Sequence, residues 1–114
     1  MALTASTMLE LGTTAPGFSL PDVVSGEAIS LESFQSSKAL LVMFICHHCP
    51  FVQHIKAELA RVGQVYSAKG VGIVGISAND PAVSADDSPE GLRRMAAEWG
   101  LNFPVCYDET QTVA

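Results

Sequence analysis

The sequence predicts an α/β domain built around a parallel sheet, and three observations carry that prediction. Hydrophobic residues fill 48% of the 114 positions against 16% charged, a balance that suits strands buried on both faces. Two short apolar runs, at 39–45 and 71–76, flank a stretch of helical periodicity, the pattern of a right-handed βαβ unit. A chain of this length closes one core at most, since cores close at roughly 100 to 150 residues. Residues 16–114 are therefore read as one domain behind a small, polar, flexible lead-in at 1–15.

The elements follow in order. After Ala15-Pro16-Gly17, the runs Phe18-Ser19-Leu20 and Glu27-Ala28-Ile29-Ser30 flank Pro21 and Ser25-Gly26, which is the signature of two short strands joined by a turn. Leu31-Glu32-Ser33-Phe34 is one helical turn. Residues 39–45, ALLVMFI, are continuously apolar, too short for a buried helix and ended by cysteine, so they read as a central strand. Beyond Pro50, Val52, Ile55, Leu59 and Val62 recur at helical spacing with Gln53, Lys56, Glu58 and Arg61 opposite them, giving an amphipathic helix that ends near Lys69-Gly70. Residues 71–76 form a second buried strand, and 79–87 a polar, acidic loop. Ser88-Pro89-Glu90 supplies a cap, a first-turn proline and an acid at the positive end of a helix running to about Trp99-Gly100. Residues 103–107 are a third strand, and Asp108-Glu109-Thr110 opens a further helix.

Composition excludes several functions. The formal charge is −6, with six basic residues scattered along the chain, so there is no electrostatic footprint for nucleic acid or an anionic membrane. The first residues carry neither a basic segment nor the apolar core of a secretory signal, and no apolar run reaches the roughly 20 residues of a membrane span. The expected location is cytoplasmic and reducing. Three cysteines there do not form a structural disulfide framework, and a Cys-x-x-Cys spacing reads as redox or metal chemistry.

That spacing occurs in Met43-Phe-Ile-Cys-His-His-Cys-Pro-Phe51. A thiol attacks better when its pKa is lowered, and a helix N-terminus lowers it through unpaired N–H groups and a partial positive charge. Proline is well tolerated at the first helical position, so Pro50 makes Cys49 the N-cap. A helix starting at Cys46 would instead put Pro50 where an intrahelical N–H is due. Cys49 is thus the expected attacking thiol, and Cys46, in the preceding turn, the resolving one. The bland alternative is that both are buried small side chains. His47 and His48 are candidate tuners of the neighbouring thiol or turn residues open to water; His54 reads as a surface residue. As metal ligands, four consecutive residues do not converge readily on one ion, and only His54 and Cys106 remain to help them. No resident metal is expected, although copper(I) at the two thiols stays open. Cys106 reads as a packed strand residue rather than a distal resolving thiol.

Together these segments resemble the thioredoxin-fold superfamily, and within it the peroxiredoxin-like branch related to alkyl hydroperoxide reductase and thiol-specific antioxidant proteins. The resemblance rests on Ala15-Pro16-Gly17-Phe18-Ser19-Leu20-Pro21, on the strand leading into Cys46-His47-His48-Cys49-Pro50, on Gly75-Ile76-Ser77-Ala78-Asn79-Asp80 and on Phe103-Pro104-Val105-Cys106-Tyr107-Asp108-Glu109. Counting from Phe44, and from the proline after the cysteine, the family pattern selects Cys49 as the reactive position. Two departures stand out. Cys46 occupies the place of the family's usual threonine, which shifts weight from peroxide reduction towards dithiol exchange. The family's cis-proline loop, last strands and last helix have no counterpart, so the chain reads as C-terminally incomplete, with an open strand edge at 39–45 that invites self-association.

The resemblance implies a thiol–disulfide oxidoreductase or peroxiredoxin-like antioxidant protein. It would act on a disulfide or peroxide and be reset by an external dithiol reductant. No organic cofactor is implied, because no glycine-rich dinucleotide or phosphate loop is present. The alternatives are a thioredoxin-like copper(I)-binding or metallochaperone module and a redox-inactive remnant.

Overall fold

A computed structural model of the chain describes residues 9–79, 82, 84–110 and 113. The expected lead-in at 1–15 lies partly outside those residues. The chain begins with a hairpin, β1 (Ser19–Pro21) and β2 (Ala28–Ser30), followed by a 3-10 turn at Leu31–Phe34. The core is a parallel sheet ordered β3 (Ala39–Phe44), β4 (Val71–Ser77), β5 (Val105–Tyr107). Helices α1 (Pro50–His54) and α2 (Lys56–Ser67) cross from β3 to β4, and α3 (Pro89–Glu98) crosses from β4 to β5.

Both crossovers step across the sheet in the same direction, so a common right hand puts all three helices on one face. The packing agrees: Ile45, Ile73, Leu92, Met95, Phe103 and Val105 form one cluster, joined by Val52 and Val62. The opposite face carries Leu20, Val74, Ile76 and Cys106, covered by Ile29 and Phe34 from the hairpin and the turn after it. β4 is buried along nearly its whole length, as its unbroken apolar sequence requires of a strand sandwiched between two layers.

β3 is not the central strand its apolar run suggests, but it has the open edge expected at 39–45. It pairs in parallel with β4 over Ala39–Phe44, but it stands at the sheet edge. Leu41, Val42 and Phe44 are exposed there, Phe44 to 55%. Apolar continuity is shared by a buried strand and an uncovered one, so the sequence pattern did not separate them.

The hairpin is tied to the far edge. Asp22 is buried; its Oδ1 accepts N–H groups from Val24 and Val105, and its Oδ2 accepts the Ser25 hydroxyl. Val23 N–H donates to Val105 O at 2.9 Å.

The expected single helix after Pro50 is interrupted at Ile55, whose φ of −104° and ψ of 11° leave the helical region. Its N–H donates to Val52 O three residues back, and Leu59 N–H then resumes the longer step to Ile55 O, a tighter local turn inside one helical path. Gly70, at φ 85°, supplies the left-handed step that ends the path, and its carbonyl accepts Lys38 N–H at 2.9 Å. The helix expected from Asp108 is a turn over 109–110; Asp108 is instead drawn inward, taking Val113 N–H on its carboxylate.

Candidate active site

At the end of β3 the chain leaves the sheet after Ile45, whose N–H still donates to Ile76 O. Cys46, His47 and His48 make the turn, and Cys49 is the N-cap of α1 in extended conformation with Pro50 at the first helical position. The geometric reason is the one visible in sequence: proline lacks the N–H that a later helical position would need. Cys46 and Cys49 are free thiols, both half-buried, whereas Cys106 is fully buried within β5.

The two neighbouring thiols are driven apart. The Val52 and Phe51 N–H groups at the start of α1 lower the Cys49 pKa, and the Cys46 side chain adds to that shift. Neither N–H closes a full cap hydrogen bond. Burial pushes the Cys46 thiol up to about 11, with the charges of Cys49 and Asp87 acting in the same direction and the Cys49 main chain opposing them. Burial also pushes Cys106 up to about 12. The helix start thus favours the thiolate form at Cys49, and burial favours the protonated thiol at Cys46.

The turn is held by a residue the sequence did not single out. Asp87 is fully buried at the end of a 3-10 helix, Ala85–Asp87. Its Oδ1 accepts the His47 N–H at 2.7 Å, and its Oδ2 contacts His48 Nδ1 and accepts Asn79 Nδ2–H at 3.3 Å. His47 is fixed further: its ring Nδ1 donates to Asp86 O at 3.1 Å, its carbonyl accepts Gln53 Nε2–H at 2.9 Å, and its ring meets Trp99 edge-on. His48 keeps 40% of its side chain exposed. Both histidines thus lie at the site, while His54 is exposed, as expected of a surface residue.

Local sequence explains how Asp87 arrives. Ser88 Oγ accepts Gly91 N–H at 3.1 Å and donates to Ala85 O at 2.7 Å, so one hydroxyl caps α3 and folds the preceding turn back over it. Gly91 permits the approach, because a Cβ there would lie 2.3 Å from Asp86 O. The signal available in sequence was the acidic pair just before a capping serine; nothing local pointed from it to the histidines.

A parallel sheet with its helices on one face, an N-terminal hairpin, and a cysteine capping the helix that follows the first parallel strand together define a thioredoxin-like fold. The chain belongs to the AhpC/TSA family, whose model matches residues 11–114. An uncharacterized conserved protein from Geobacillus kaustophilus superposes with a TM-score of 0.92 at 46% identity, over 100% of this chain and 60% of that one. A Neisseria meningitidis structure described as a "Putative Thioredoxin" gives 0.69 at 26% identity, over 87% and 61%. The Mycobacterium tuberculosis protein named "Putative peroxiredoxin Rv2521" is 26% identical over 97% of this chain and 65% of its own length. The chain therefore spans about three-fifths of the length of these relatives. No helix among the described residues is long and apolar enough to cross a membrane.

Proposed function

We propose that this chain is a thiol–disulfide oxidoreductase in which Cys49 attacks and Cys46 resolves, working in a reducing, cytoplasmic setting. One observation carries the reading: the helix-start N–H groups lower the Cys49 pKa while burial raises that of Cys46. The Cys49 thiolate attacks one sulfur of a substrate disulfide and expels the other as a thiolate that takes up a proton. Cys46 then gives up its proton and attacks Cys49 Sγ. The second substrate thiolate leaves, and a Cys46–Cys49 disulfide remains. With a peroxide as oxidant, Cys49 becomes a sulfenic acid as the peroxide is reduced to an alcohol or water, and condensation with Cys46 releases one water. An external dithiol returns both sulfurs to thiols in either case. The high Cys46 pKa makes it the slower partner at neutral pH, since exchange depends on the thiolate fraction.

Insulin-disulfide reduction and peroxide consumption, each driven by a dithiol, test this reading. Cys49→Ser is expected to abolish turnover, and Cys46→Ser to stop after forming a mixed disulfide or sulfenic acid at Cys49. Full activity in Cys49→Ser would exclude the assignment.

A further inference from the structure

We propose that the reduced chain binds one zinc ion through Cys46 Sγ, His48 Nδ1 and a carboxylate oxygen of Asp87. One donor atom from each of these residues lies within 4.8 Å of the other two. The donors come from two separate segments, the turn after β3 and the 3-10 helix before α3, so they approach a common point from different sides. Consecutive residues of the turn alone do not.

The chemistry of the set selects the ion. Zinc takes thiolate sulfur at about 2.3 Å and imidazole nitrogen or carboxylate oxygen at about 2.0–2.2 Å, which sets donors roughly 3.3–3.6 Å apart in a tetrahedron. Small side-chain shifts reach that spacing, with the ion taking the place of the proton between His48 Nδ1 and Asp87 Oδ2. Magnesium and calcium prefer all-oxygen sites and copper(I) prefers sulfur, whereas one sulfur, one nitrogen and one oxygen suit zinc.

The surroundings are those of a built site. Asp87 is fully buried, where a carboxylate is costly unless it is paired. His47 N–H on Oδ1 and Asn79 Nδ2–H on Oδ2 hold the group in orientation, as outer-shell donors do for metal-binding carboxylates. His48, 40% exposed, lies on the route to solvent. Cys49 is not a member of the cluster, so the set leaves a fourth position open to water. Binding displaces the Cys46 thiol proton to solvent, and the His48 ring ligates through Nδ1 with its remaining proton on Nε2. The ion and a Cys46–Cys49 disulfide exclude one another, because both require the same sulfur.

Zinc titration of the reduced 114-residue chain against a chromophoric chelator tests the site, with cobalt(II) as a spectroscopic substitute reporting thiolate ligation. The expected result is one ion per chain. Cys46→Ser and His48→Gln should each weaken binding by at least about tenfold, the scale for disturbing even an outer-shell partner, while Cys49→Ser changes it by no more than about twofold. Asp87→Asn gives the same loss if far-ultraviolet circular dichroism shows it folded; His48→Gln, at an exposed ring, carries the test otherwise. Binding weakened equally in both cysteine variants and indifferent to His48→Gln would mark a dithiol site and overturn the proposal, as would the absence of binding.

Discussion

Asp87 Oδ1 accepts the main-chain N–H of His47 at 2.7 Å, joining positions 40 residues apart. Through that bond the loop after β4 fixes the turn that presents both cysteines. The fold and the site are coupled at this point, because the same 3-10 helix that places Asp87 is folded back by the cap of α3.

Gly91→Ala tests the coupling. In an open helix the change would stabilise by about 1 kcal/mol through propensity. Here the new Cβ would lie 2.3 Å from Asp86 O and 2.8 Å from Ala85 O. Backbone cannot yield as a side-chain tip can, so overpacking wins, and urea unfolding should show a net loss of about 1–3 kcal/mol. Faster amide hydrogen exchange at His47 should accompany it; unchanged stability and exchange would show that Asp87 is held by other means.

The edge strand carries a second prediction. β3 offers an apolar, unblunted edge with Leu41, Val42 and Phe44 exposed, the arrangement that invites strand addition by another chain. The 114-residue chain is expected to self-associate in sedimentation velocity, and Val42→Lys with Phe44→Lys to shift it towards monomer. A monodisperse parent monomer would contradict this.

Cys106 gives a pH dependence whose sign is fixed. Burial raises its pKa from 9.0 to about 12, so the folded state holds the thiol proton more tightly than the unfolded chain. The stabilisation is complete below pH 9, is lost as pH climbs towards 12, and is absent when the thiol is removed. The stability difference between the parent and Cys106→Ala, from denaturant melts, should therefore shrink across that alkaline range. A constant difference would place the thiol in a wetter setting.

Much of this was legible in the sequence because it is local. Pro50 after Cys49 marks a helix start, and Ser88-Pro89-Glu90 marks another; both helices begin there. Strand existence followed from short apolar runs. What stayed hidden depends on partners far along the chain. An acidic loop gave no sign that Asp87 would be buried against two histidines, and the apolar run alone could not tell a central strand from the exposed edge that β3 forms, which only the family resemblance pointed to. The turn at Ile55 has no proline or glycine to announce it.

The two thiols differ in their surroundings, and the proposed attacker is Cys49. The direct measurement is the rate of iodoacetamide alkylation against pH for two variants that each keep one thiol of the pair, Cys46→Ser/Cys106→Ser and Cys49→Ser/Cys106→Ser. The expected result is a midpoint below the ordinary thiol value for Cys49, where the helix-start N–H groups favour the thiolate, and one near 11 for Cys46. Coincident midpoints near the ordinary thiol value, or a lower one for Cys46, would contradict it.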